Sequence, residues 1–250
     1  MKHLRLPLLI LGLITLWQLV VLATGVPPYI LPGPLPVARA LVAHLPMLAP
    51  HLATTVIEIL LGLVLGTLLG SAAALTMILS PLLKRWLLPV LVISQAIPVF
   101  ALAPILVLWL GYGMASKVAM AVLIIFFPVT ASFHDGMQRT DRDLLDLARI
   151  MGASPIGVLR HIVIPSALPA FAAGMRVAAA VAPIGAVIGE WVGSSEGLGF
   201  YMLHANARMQ VDLMFAALTL LAAASLTLYF CTDRLLDRLV YWQPKHGTAP

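Results

Sequence analysis

The chain has 250 residues, of which 61% are hydrophobic and only 10% charged, with a mean hydropathy of +1.02. Globular domains are about 45–50% apolar and about 25% charged, and a domain of this length fills its core without such an excess. A soluble enzyme or a nucleic-acid-binding domain is excluded, and the net charge of +5 needs another explanation.

Apolar runs of membrane-spanning length are expected at about 6–23, 53–79, 87–110, 167–188 and 213–230, with a shorter one at 118–133. The expected fold is an all-α polytopic membrane protein of about six transmembrane helices, one transmembrane domain over residues 1–250. The first run is longer than the apolar part of a cleaved signal peptide and reads as a retained span. With the amino terminus inside, Lys2, Arg5, Lys84, Arg85, Arg139, Arg142, Arg149, Arg160, Arg234, Arg238 and Lys245 all fall on the inner side. Only Arg39, Lys117 and Arg208 fall outside, so the basic charge reports topology, with both termini cytoplasmic.

After the first span, "TGVPPYILPGPLP" (24–36) reads as an outer loop, because its prolines remove donors and fix φ. In the second span Gly62, Gly66 and Gly70 recur every four residues and form a smooth face for helix packing. The third carries Pro89, Pro98 and Pro104 and should bend, which makes Gln95 and Pro98 candidates for lining a path. Arg176 lies about ten residues into the fifth span, near the expected bilayer centre. A charge there is costly unless paired or hydrated. Glu58 or backbone carbonyls are candidate partners, and a hydrated substrate path is the other reading. Glu190 and Trp191 close that span on the outside, joining Gln95, Pro98 and Arg176 as path candidates. Segment 189–215 is too polar to span and too apolar for a free loop; it reads as interfacial or re-entrant. Cys231 reads as a packing residue, and the seven histidines show no ligand spacing, so solvated or interfacial roles are expected.

The inner segment 134–166 differs from all this. In "QRTDRDLLDLARIMGASPIGVLRHIVIP", Thr140 and Asp143 make a helix start, and Leu144, Leu147, Ile150 and Met151 keep a helical stripe. Gly152 suits the left-handed position that ends a helix, Ser154 suits a new N-cap, and Pro155 suits the first turn. Ile156, Leu159 and Ile162 form a second stripe, which Pro165 should stop. The expected element is a cytoplasmic helix–turn–helix with a rigid corner, suited to docking into a partner's groove.

The pattern "D-L-A-x-x-x-G-A-S" followed by "I-x-I-P" resembles the EAA loop of ABC-importer permeases. The resemblance places Asp146 at the family's Glu, Leu147 and Ala148 at its two alanines, Gly152 at its Gly and Pro165 at its Pro. Asp146 shortens the acid by one methylene, and Leu147 replaces a small residue. It implies that Asp146, Ala148, Gly152, Ala153, Ser154, Pro155 and Pro165 couple the chain to an ATPase. Over residues 50–243 the chain is similar to the nitrate/taurine/sulfonate branch of these permeases. "EWVGSSEGLGFYMLHANARMQVDLMFAAL" looks most like permeases for thiamine pyrimidine precursors of the hydroxymethylpyrimidine type.

The fold so implied is that of a type I importer permease in the bacterial inner membrane. The implied partners are a cytoplasmic ATPase dimer, a second permease copy, a periplasmic or lipid-anchored substrate-binding protein and membrane lipid. The sequence holds no G-x-x-x-x-G-K-[ST], so ATP and magnesium belong on the ATPase and no cofactor is expected here. Taurine, aliphatic sulfonates or nitrate are alternative cargoes. A stand-alone ion-coupled carrier using Glu58, Arg176 and Glu190 would show inverted repeats, and none is visible. An intramembrane enzyme would need a nucleophile–base or metal constellation, and no His/Asp/Glu cluster has that spacing.

Overall fold

Helices α1 (Lys2–Thr24) and α2 (Pro34–Leu79) are joined by the proline-rich stretch 25–33 in the computed structural model, which describes residues 2–242 and side chains from residue 8 onward. The side chains of Lys2, His3 and Arg5, and residues Lys245 and His246, lie outside what is described. Helix α2 begins two residues before the expected end of the loop. Pro34 occupies the first helical turn, where its missing N–H leaves nothing unpaired. At ~1.5 Å per residue α2 is about 69 Å long, more than twice the hydrocarbon thickness, so its 34–52 portion extends beyond the span.

Ser80 ends α2 and caps α3 (Pro81–Ala96), its hydroxyl accepting from the Leu83 N–H. A break at Ile97–Pro98 turns the chain by 103° into α4 (Val99–Leu110), so the bent third span is a broken pair. Then come α5 (Met114–Gln138), α6 (Arg142–Ile150), α7 (Pro155–Val158), a π-helical turn (Leu159–Val163), α8 (Ile164–Gly193), α9 (Leu198–Ala207) and α10 (Val211–Leu239). Among the described residues, α2, α5, the run Pro155–Gly193 and α10 are each long and apolar enough to cross a membrane. The α3–α4 pair adds a broken span, and Leu8–Thr24 is a shorter apolar helix.

Helix α5 is the axis of the bundle, pressed between α2 and α8. The glycine stripe of α2 faces it: a Cβ on Gly62 would collide with Ala121, and one on Gly66 would lie 2.7 Å from Ile125. At Gly70 it would meet the Thr130 hydroxyl at 3.0 Å. From the other side, Gly174 lies against Pro128 and Ser132, Gly185 against the Ala121 backbone and Gly189 against Lys117. Small residues on both neighbours let three backbones approach closely, which is how helices gain packing where lipid supplies no hydrophobic drive. Ile59, Ile125, Val129, Ala178 and Ala182 fill the core so formed. Helix α10 covers α2, α8 and α9, while Leu9, Leu11, Leu13 and Leu22 of α1 are exposed in the manner of lipid-facing residues.

Four expectations are corrected. Helix α6 is capped by Asp141, whose carboxylate accepts from the Asp143 N–H; the Thr140 hydroxyl instead donates to the Met137 carbonyl, closing α5. Pro165 does not stop the second inner helix. The chain runs as one 39-residue helix from Pro155 to Gly193, and the π turn just before Pro165 widens the coil where its ring meets the preceding carbonyls. Cys231 is exposed, because the buried phase of α10 passes through Thr232 and Leu236. His134 is buried rather than solvated, on the α5 stretch packed against Ala74 and Ala167.

Candidate functional site

Three polar places stand out on this apolar scaffold. At the inner face, Gly152 has φ +75°, the left-handed conformation expected of it. Its N–H bonds the Arg149 carbonyl and the Ala153 N–H bonds the Ala148 carbonyl, both at 3.0 Å, which is a Schellman closure of α6. Ser154 then caps α7, accepting from the Gly157 N–H at 3.1 Å, with Pro155 in the first turn. The corner is thus fixed by backbone bonds and a cap, and it feeds without interruption into α8. Ala148 is the residue of α6 that is buried; Ile150, Met151 and Ile156 are each about three-quarters exposed or more. Asp146, in place of the usual Glu, is engaged by Arg149 at 2.8 Å across one helical turn.

In the inner half of the bundle Arg176 is held by the last helix. Its Nε meets Asp233 at 2.6 Å and a terminal nitrogen meets Asp237 at 2.8 Å. Glu58 is not its partner. The two aspartates lie one turn apart on the inner end of α10, so both face the same guanidinium. In sequence they are hidden among the charges "DRLLDR", which read as an ordinary cytoplasmic end.

At the outer end, Glu58, Lys117 and Glu190 come together from α2, α5 and α8, each at most 5% exposed. The Lys117 ammonium lies 2.9 Å from Glu58, and the two carboxyl groups interact with each other. Thr55, fully buried, donates to Glu190 at 2.6 Å and accepts from the Leu198 N–H at 2.8 Å. Glu190 also accepts from the Gly199 N–H, and His51 Nδ1 accepts from the Gly197 N–H at 3.1 Å. The free N–H groups that open α9 are therefore satisfied by α2 and α8, with a carboxylate at the positive helix end. Glu190 was legible as a boundary charge; Thr55 and Lys117 were not singled out. Lys117 read as an outer-loop cation because it stands only three residues into its helix.

The path candidates do not converge. Glu190 stands 14 residues beyond Arg176 on α8, about 21 Å along the axis. Gln95 and Pro98 are exposed at the α3–α4 break. Trp191 is half exposed, next to Val192 and an outer groove of about 460 Å³ lined also by Pro104, Val107 and Tyr112. Among the described residues, no group of three or more His, Cys, Asp or Glu could hold a metal ion.

Residues 62–241 match the family of binding-protein-dependent transport system inner membrane components. The chain belongs to that family of ABC-importer permeases. A probable ABC transporter permease protein of Haemophilus influenzae is 56% identical over 94% of this chain and 96% of its own length. The formylaminopyrimidine transport permease ThiX of Halalkalibacterium halodurans is 36% identical, covering 95% of both chains. The riboflavin transport permease RibX of Chloroflexus aurantiacus is 38% identical over 96% of this chain and 90% of its own. The taurine permease TauC of Escherichia coli stands at 29% over 94% and 87%, which fits the nitrate/taurine/sulfonate branch. A solved structure of the MetNI methionine ABC transporter, 22% identical, shares the fold with a TM-score of 0.59 over 75% of this chain and 91% of its own. This permease is therefore a multi-pass inner-membrane transport component whose ATP hydrolysis is carried by a separate subunit.

Proposed function

We propose that the permease imports a thiamine pyrimidine precursor, as one of two copies driven by a cytoplasmic ATPase dimer and fed by an outer substrate-binding protein. The near full-length similarity to a formylaminopyrimidine permease carries the choice of cargo. The riboflavin relative favours a second heteroaromatic cargo, and taurine or a sulfonate is the more distant alternative. Both termini lie in the cytoplasm in this reading.

The geometry supports the mechanism from the inside outward. The ATPase grips the exposed apolar corner of Ile150, Met151 and Ile156, whose backbone cannot yield at Gly152 without breaking the Schellman bonds. Motion of that corner passes into α8, because no loop intervenes between Pro155 and Gly193. The 39-residue rod then tilts by way of its π turn, and ATP shifts the two access states by binding them unequally. Arg176 and its aspartates tie the inner half of this rod to α10.

The test is uptake into proteoliposomes holding permease, ATPase and binding protein, with labelled hydroxymethylpyrimidine, formylaminopyrimidine, riboflavin and taurine offered separately. ATP-dependent accumulation of a pyrimidine is expected. Accumulation of riboflavin or taurine alone would overturn the cargo, and uptake by the permease without its ATPase would overturn the mechanism.

A further inference from the structure

The outer polar cluster is more than a buried ion pair, because it joins α2, α5 and α9 to the outer end of α8. Helix α2 contributes His51, Thr55 and Glu58, α5 contributes Lys117, α8 contributes Glu190, and α9 contributes its first N–H groups. We propose that Thr55 and Glu190 clasp α9 to α2 and α8, so that α9 moves with the coupling rod and never parts from α2 during transport. Thr55 is then a positioning residue of the transport cycle.

Parting α9, and the end of α8 that moves with it, from α2 would break the Thr55 bonds to Glu190 and to the Leu198 N–H and the His51 bond to the Gly197 N–H. Both N–H groups would be left unpaired at buried residues, and the Thr55 hydroxyl would keep only the His51 carbonyl at 3.1 Å. Unpaired buried polar groups are costly, and a carboxylate more so. Packing permits no sliding in exchange. The Leu198 side chain is fully buried against the apolar cluster of α2 and α10 that includes Leu48 and Ala216. A Cβ on Gly197 would fall inside the Glu190 carboxyl group, and one on Gly199 would lie 2.7 Å from it. Gly185 and Gly189 hold α8 against the backbone of α5, so α8 cannot turn Glu190 away from the clasp by rotating in place. Thr55 is the joint of the arrangement: one hydroxyl both donates to α8 and accepts from α9.

The clasp rests on the chain working as an importer subunit, and two measurements separate it from that reading. In the first, hydrogen exchange of a peptide spanning 197–203 is followed in the intact permease. Thr55→Val keeps the shape and removes the hydroxyl; exchange at Leu198 is expected to quicken about tenfold, and Thr55→Ser to restore it. Unchanged exchange in Thr55→Val would overturn the proposal whether or not an ATPase is bound. In the second, cysteines replace Thr54 and Glu196, whose side chains meet at 3.4 Å across α2 and the turn before α9. Cys231, the sole native cysteine, is changed to Ser, and the pair is bridged with a short reducible bis-methanethiosulfonate. ATP turnover by the permease–ATPase complex is expected to be the same bridged and reduced. Turnover that stops on bridging and returns with reductant would show that α9 must leave α2, and the clasp would be wrong.

Discussion

Removing the Lys117 ammonium while leaving Glu58 in place should be among the most damaging single changes to this fold. The pair is 2.9 Å apart with side chains 6% and 0% exposed. At an effective dielectric of about 20 the attraction at that distance is about 6 kcal/mol, much of it offset by desolvation. Lys117→Met would forfeit the attraction and keep the burial, stranding Glu58 beside a second carboxyl group, Glu190. Breaking a buried pair from one side costs about 3–5 kcal/mol, against a total stability of about 5–15 kcal/mol. The double change Glu58→Gln with Lys117→Met removes both charges and keeps the volumes, so most of that loss should be recovered. Thermal unfolding of the detergent-purified permease, read by its tryptophans, measures all three proteins. Lys117→Met melting with the parent, or the double variant melting no higher than Lys117→Met, would refute the reasoning.

At the inner corner, Gly152→Val should insert and fold normally yet lose ATPase coupling. Nothing lies within 4 Å of the added Cβ, so the ~1–2 kcal/mol cost is that of the +75° backbone alone. Gly152→Asn should retain most coupling, and ATP turnover of the reconstituted complex distinguishes them. Gly66→Leu should reduce the yield of folded permease in membranes sharply, because even a methyl group already meets Ile125 at 2.7 Å. Arg176→Leu should weaken both assembly and transport, since it leaves Asp233 and Asp237 without their shared cation; Arg176→Lys should recover only part, an ammonium lacking the forked geometry that serves two carboxylates. Size-exclusion yield and uptake measured together test that pair of variants.

Much of the inner corner could be read directly because its signals are local. Gly152, Ser154 and Pro155 act within their own turn, and a positive φ or an N-cap needs no distant partner. The same local logic misjudged Pro165. Whether a proline ends a helix depends on whether the coil can widen before it, and here a π turn supplies the room. The glycine stripe of α2 announced a packing face, but that the face meets Ala121 and Ile125 became visible only once α5 was placed.

The buried charges show where local reading stops. Arg176 and Glu58 were the obvious pair of intramembrane opposites, yet each found another partner, Asp233 with Asp237 for the first and Lys117 for the second. Pairing depends on the height and rotation of four helices, and a half-turn of any of them redirects a side chain. From residue order alone it followed that the chain lies in a membrane and that a rigid articulated corner stands between two of its apolar spans. Each follows from composition or from contacts within a few residues. That this corner continues into a 39-residue rod, and that the rod's far end holds α9 through Glu190 and Thr55, emerges from the packing of distant helices. The two Thr55 bonds join residues more than a hundred positions apart, and their partners are chosen by packing.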